Sequence, residues 1–357
     1  MAHNDLTNWI EKIAIEWLKQ LENFTVFIDS NTAFVPGGNN GPHMALETPI
    51  RNTIHVISAL THLKKRGYSI PNKIDYKLCN WITNNNIFFD RKDTFLARQF
   101  GSDFVNGVIG PAWIISGLND YYLMSKDEKI LTILNKTKAN IIFDNKSKLW
   151  RRYDPFKNKF NIDYTWDHQL FYAASQVNLM NIENKDLNNI DLFLNEILSK
   201  INFYIRPNGR FHHMAKDHSI KNLILNYLYK RNFQRVEDVE NGYHCYILYA
   251  FAIIYQKFPK HPLFKNSLFK SSFNFLEKNY DLLVQSKFGR NYNNPSLSLP
   301  FIFKVFKPFF SIDYTKILKL VQSSHQEKSY LQGLCISKKD PITSFSRYYE
   351  LFRYFSE

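Results

Sequence analysis

Asn106-Gly107-Val108-Ile109-Gly110-Pro111-Ala112-Trp113 leads from a glycine turn straight into the apolar pair Ile114-Ile115, and this transition decides the fold. A helix with no polar face is buried on every side, and the glycines and proline mark where it begins. Five further stretches make the same transition: Glu47-Thr48-Pro49-Ile50-Arg51-Asn52, Thr165-Trp166-Asp167-His168-Gln169, Glu240-Asn241-Gly242-Tyr243-His244, Asn293-Asn294-Pro295-Ser296 and Ser344-Phe345-Ser346-Arg347-Tyr348. Each follows a more ordinary amphipathic helix. Taking Thr48, Asn106, Thr165, Glu240, Asn294 and Ser344 as markers, the intervals are 58, 59, 75, 54 and 50 residues. Paired helices recurring at such a period are the mark of a repeat architecture. Six buried helices lined by six amphipathic ones predict an all-α (α/α)6 toroid, a six-hairpin barrel spanning 1–357 as a single domain.

The first outer helix is expected over 5–24, where Trp9, Ile10, Ile13, Trp17, Leu18 and Leu21 recur at helical spacing. Thr48 is expected to cap the first inner helix with Pro49 at its first position. In a toroid the inner helices run parallel, so their polar starts gather on one face. The segment 205–239, carrying Arg206, Arg210, His212, His213 and His218, is the longest irregular insertion and is expected to overhang that face as a lid.

Composition narrows the function classes. Apolar residues make up 45% of the chain and aromatics 16%, ample material for a core. The formal charge of +14 favours an acidic partner, yet no dense basic run or nucleic-acid motif occurs, so nucleic acid is not expected as a partner. Cys79, Cys245 and Cys335 stand far apart, which suits a reducing compartment. With no secretory leader in the first residues and no apolar run long enough to span a bilayer, a cytoplasmic location is expected. The aromatic, basic stretch Leu299 to Phe310 reads first as a buried helix broken by Pro308, with weak peripheral contact with a membrane as the minor alternative. No metal or cofactor is expected: zinc spacing, phosphate loops and nucleophile elbows are all missing from the sequence.

The chemistry is expected at the helix starts. Asp167 and His168 fall in the first turn of the third inner helix, beside Trp166 and Gln169; the alternative is that Asp167 only complements the helix dipole. Glu240, Tyr243 and His244 supply a carboxylate, a phenol and an imidazole within about one turn, three classes of proton-transfer group. Asp103 is the candidate partner carboxylate to Asp167, since two carboxylates flanking a sugar suit glycoside hydrolysis. Arg51 and Arg98 are candidates to fork onto a substrate carboxylate, with an Arg51–Glu47 brace as the competing reading. Trp113 and Trp166 are candidate sugar-stacking faces, and His212 and His213 candidate binding groups.

With these clusters in view, the chain resembles the (α/α)6-toroid glycan enzymes, in particular proteins similar to unsaturated glucuronyl hydrolases found in surface-polysaccharide and protein-glycosylation gene clusters. Gly41-Pro42, Glu47 to Thr53, Asn106-Gly107, Gly110 to Trp113, Thr165 to Gln169 and Asn241 to His244 carry the resemblance. It implies a hydrolase-type enzyme acting on an acidic or polar oligosaccharide, with aspartates near the inner-helix starts as acid and base. Asp103 and Asp167 occupy comparable places. Related toroids include uronic-acid lyases and C5-epimerases, for which Tyr243 with His168 or His244 would serve instead. A non-catalytic glycan-binding toroid is the remaining alternative.

Overall fold

The computed structural model describes residues 2–84, 95–101, 103–179, 184–213, 233–326 and 339–356. Inner and outer helices alternate along it. The outer helices are α1 (Ala2–Gln20), α3 (Ile74–Asn84), α5 (Glu128–Ala139), α7 (Asn184–Ser199), α9 (Ser267–Gln285) and α11 (Tyr314–Gln326). Between them lie the inner helices α2 (Ile50–Lys65), α4 (Ile109–Ser125), α6 (Trp166–Val177), α8 (Phe233–Lys257), α10 (Pro295–Phe306) and a last one in two pieces, α12 (Pro341–Ser346) and α13 (Tyr349–Phe352).

The inner helices close a ring: α2 packs on α4, α4 on α6, α6 on α8, α8 on α10, α10 on α13 and α13 back on α2. Their bodies are buried all round, as from Ile50 to Leu63 in α2 and Tyr246 to Ile254 in α8. The outer helices bury one stripe each; α1 seats Leu6, Ile10, Ala14 and Trp17 against α11 and α13. This is the six-hairpin toroid that the repeat predicts.

Local details depart from the sequence reading. Pro49 occupies the N-cap position of α2, where no side chain caps the first turn, while Thr48 donates its hydroxyl to the Leu96 carbonyl at 2.7 Å. Thr165 makes no side-chain cap; Asp163, two residues earlier, accepts the Thr165 N–H instead at 2.9 Å. Helix α8 begins at Phe233, so the Glu240 cluster sits about two turns inside it and not at its start. Leu299 to Phe306 belong to α10, with Phe301, Ile302, Phe303 and Phe306 fully buried. That stretch is core, which removes the reason for expecting it at a membrane. No described helix is long and apolar enough to cross one.

Three connections join an outer helix to the next inner one at the face where the inner helices begin. Residues 21–49 carry the hairpin of β1 (Val26–Phe27) and β2 (Ala33–Phe34), and 140–165 carry an antiparallel sheet of β3 (Ile141–Asp144), β4 (Leu149–Asp154) and β5 (Lys159–Ile162). The described part of the third, 95–101 and 103–108, is tied to the first by the bridge Glu47↔Arg98. Of the expected lid, 205–213 forms a short turn closed by Ile205↔Phe211, and 214–232 lie outside the described residues.

Candidate active site at the inner-helix starts

Asp167 is fully buried in the first turn of α6, and neither carboxylate oxygen accepts a hydrogen bond among the described residues. His213 stands beside it, with Nδ1 3.2 Å from Oδ1. A buried carboxylate without hydrogen bonds is costly, several kcal/mol in order of magnitude, so such a group needs a reason other than stability.

His213 reaches Asp167 because the segment before it is bolted to α8. Glu240 receives Arg206 through Nε at 2.7 Å and Nη2 at 2.9 Å, receives His212 Nδ1 at 2.9 Å, and pairs with Arg210 at 3.3 Å. Burial pushes the Glu240 carboxyl up, but the hydrogen bonds from His212 and Arg206 outweigh it and hold the group ionised, below its usual range. Glu240, His212, Arg206 and Arg210 therefore position; His213, the next residue, is delivered to the site.

The His213 ring lies over Tyr243, centroids 4.5 Å apart. Tyr243 in turn shares a 2.9 Å hydrogen bond with Nε2 of His43, on the loop before α2. Although His43 is exposed as a residue, its ring packs among Tyr243, Phe288 and Tyr292. That desolvation, with the positive charges of Arg98 and Arg51 nearby, lowers its pKa to about 4 and leaves it neutral at pH 7. Tyr243 is raised well above a free phenol, first by burial and then by neighbours including Tyr292 and Asp167. The His43 loop is pinned at Asp340 before α12, whose Oδ2 accepts the N–H groups of Asn39 and Gly41 at 3.0 and 2.9 Å.

On the other side of Asp167, His168 donates Nδ1–H to Asp163 Oδ2 at 2.7 Å. Asp163 also accepts the backbone N–H of Val108 at 2.9 Å. Burial opposes charge on both members, but the ion pair prevails: His168 is raised and Asp163 is held far below the usual carboxylate range. The dyad has room only because residue 107 is glycine. A Cβ there would sit 1.8 Å from Asp163 Oδ2 and 2.7 Å from His168 Nδ1, and its φ of +59° is left-handed besides. Asp103 stands close enough to contribute to the His168 charge, but is itself engaged by Arg152 at 2.6 Å and by the Gly107 N–H at 2.8 Å.

The structure thus brings Asp167, His168, Tyr243 and His213 together, with Asp103 and Arg98 at the edge. Arg98 donates to Asn106 Oδ1 and adds positive potential at His43. Other candidates are placed elsewhere. His244 points away from the axis into the α8–α9 seam, donating Nε2–H to the Ser272 carbonyl at 3.0 Å between Phe211 and Phe275; burial lowers it to about 3. Consecutive helical residues diverge by about 100°, so Tyr243 and His244 could not both face inward.

Arg51 is consumed by the brace to Glu47, at 2.8 and 2.9 Å, by Asn40 at 2.9 Å and by Tyr292 at 2.7 Å. Neither tryptophan offers a free face. Trp113 is covered by the Arg51 guanidinium at 4.2 Å, and Trp166 is core, donating its indole N–H to the His212 carbonyl and packing on Tyr204 and Phe211. Gln169 spends its amide on the backbone of Trp150 and on the Asp163 carbonyl, joining β4 to α6.

Sequence reasoning did not select His43 or Asp163. Gly41-Pro42 before His43 signals a tight turn, and Asp163 two residues before Thr165 is an Asx-turn signal; neither shows by itself which side chains converge. Among the described residues no group of three or more metal-ligating side chains assembles, Cys79 and Cys245 are buried thiols, and Cys335 lies outside the described residues.

No protein-family model matches the chain. It is 26% identical over 294 residues to archaeal glycosylation protein Q of Haloferax volcanii, an alignment covering 76% of this chain and 79% of that protein. Among solved structures it is similar to an unsaturated glucuronyl hydrolase specific for heparin, at TM-score 0.60 and 11% identity, covering 99% and 97% of the two chains. A cellobiose 2-epimerase from Spirochaeta thermophila DSM 6192 matches at TM-score 0.59 and 11% identity, covering 98% of each. Rex8A from Paenibacillus barcinonensis, a variant in complex with xylose, matches at TM-score 0.54 and 10% identity over 98% and 92%. The fold is therefore that of the toroidal glycan enzymes.

Proposed function

We propose that the protein is a carbohydrate-active enzyme of glycan metabolism, hydrolase-type, acting on an acidic or polar sugar with Asp167 as its general acid/base. One observation carries this reading: a fully buried carboxylate that accepts no hydrogen bond among the described residues stands 3.2 Å from an imidazole, in the face where the inner helices begin. Such an arrangement suits a group whose work is to exchange a proton. The named activities of the similar toroids and the glycosylation protein support the substrate class. Asp103 supplies negative potential at the edge, and the inner-helix N-termini favour anionic substituents. The test is turnover of an acidic oligosaccharide panel in heavy-oxygen water by wild type and Asp167→Asn. Incorporation of the heavy oxygen by wild type alone supports the assignment; equal turnover by both sinks it.

A second reading, C5-proton chemistry by a lyase or epimerase, is favoured by a specific pairing. His43 is held neutral beside Tyr243 while pairing with Asp163 raises His168 against its burial, and Asp167 acts electrostatically on both imidazoles. Groups whose environments drive their pKa values apart are suited to taking a proton on one side and returning it on another. Solvent deuterium appearing at C5 of the product, without heavy oxygen, would select this reading.

A further inference from the structure

The face that carries the candidate site also carries an exposed apolar rim. Met44, Leu46, Phe100, Phe156, Phe160 and Tyr164 are all exposed, with Phe100 at 69% and Phe156 at 62%. They lie on the three connections that lead into α2, α4 and α6, so topology puts them at the inner-helix starts. Contacts link the segments that carry Leu46, Phe100 and Phe156. The Gln99 N–H donates to the Leu46 carbonyl at 3.0 Å, the Arg98 N–H to the Phe104 carbonyl at 2.9 Å, and Phe104 stacks on Phe156 at 4.3 Å. Phe160 extends the rim along β5 by packing on Tyr153.

The exposed charges beside these phenylalanines are basic. The runs 95–101 and 155–160 contain Arg98, Lys157 and Lys159 and no aspartate or glutamate, and the flanking Asp154 is buried, within 3.7 Å of Arg152 and of Lys157. Lys157 and Lys159 are exposed and flank Phe156 and Phe160 on the same hairpin. Large exposed apolar groups are rare on monomeric proteins unless something covers them. Exposed Phe, Leu and Met beside cations match the two attractions that hold a protein at an anionic lipid surface, apolar insertion and charge.

We infer that this face docks onto an anionic lipid surface, with Phe100 and Phe156 inserting and Lys157 and Lys159 meeting the headgroups. The candidate site then opens toward the bilayer, and its glycan is one carried at that surface; this last consequence rests on the reading proposed above, whereas the docking does not.

The experiment is flotation of the full chain with vesicles of phosphatidylglycerol and phosphatidylcholine, against phosphatidylcholine alone. Wild type is expected to float with the anionic vesicles and to be released progressively between 0.1 and 0.5 M salt, a range set by the Debye length falling below ~10 Å. The pair Phe100→Ser/Phe156→Ser and the pair Lys157→Glu/Lys159→Glu are each expected to cut binding at least tenfold, with unchanged near-ultraviolet circular dichroism. Should the substitutions misfold, fluorescence quenching of a label at Asn158→Cys by bromine-labelled lipid replaces them and is expected on anionic vesicles only. Absence of flotation by wild type overturns the inference, as does binding unaffected by both pairs. Weaker capture of a free oligosaccharide by the phenylalanine pair, with no flotation by wild type, also overturns it and assigns the rim to sugar. Loss of turnover on a water-soluble oligosaccharide bears only on the glycan reading.

Discussion

His213 Nδ1 stands 3.2 Å from Asp167 Oδ1, yet the two are not aligned for a hydrogen bond, and neither carboxylate oxygen accepts one among the described residues. On the proposed reading that relationship distinguishes proton exchange from structural support. A structural aspartate in this turn would cap the helix, as Asn294 does by accepting the Ser296 N–H in α10.

Asp167→Asn should lower turnover about 10²- to 10⁴-fold, the range for loss of a general acid/base, while the melting temperature stays level or rises. Activity and thermal unfolding measured on one preparation check this. A fall in stability parallel to activity would make Asp167 a structural residue.

Asp163→Asn should bring the His168 titration down, because burial is then opposed only by the more weakly acting Asp167 and Asp103. Ring-proton NMR across pH 4–9 reads the shift. The stability terms have opposite signs. The raised His168 contributes fully below its unfolded value of 6.5 and loses that contribution as pH rises through the folded value. The depressed Asp163 contributes above its unfolded value of 3.8 and loses it as pH falls. The dyad is strongest between these two values, and in Asp163→Asn the stability maximum in that window should flatten.

Gly107→Ala should cost about 1–2 kcal/mol from the left-handed backbone alone, and more from the collision with Asp163. Turnover should fall together with the His168 titration midpoint. Gly101→Ala is the control: it also has positive φ, but nothing lies within 4 Å of a Cβ there, so it should carry the backbone cost without moving the midpoint.

Glu240→Gln should destabilise the protein by about 3–5 kcal/mol, the usual cost of breaking a buried ion pair from one side, since it uncouples Arg206, Arg210 and His212 together. Its effect on catalysis should run through His213. Denaturant unfolding gives the first quantity, and turnover compared with His213→Gln the second.

His244→Leu should leave the Ser272 carbonyl unsatisfied at about 1–3 kcal/mol, while turnover well below the melting temperature stays within about twofold. A loss of activity without loss of stability would return His244 to the site.

The repeat of polar starts and apolar helices was enough, in sequence, to determine a toroid and the face where its inner helices begin, because periodicity and burial are local properties of each helix. That Asp167, His168 and Tyr243 come together at that face was legible for the same reason. Which way a side chain turns within a turn of helix was not. The structure turns Tyr243 to the axis and His244 to the outer layer, covers Trp113 with Arg51, and spends Gln169 on a neighbouring strand. Loop partners were equally hidden: His43 meets Tyr243 across 200 residues, and Asp163 takes its place only where Gly107 leaves room for it. Such pairings depend on the relative placement of separate helices, which long-range packing fixes and local sequence does not encode.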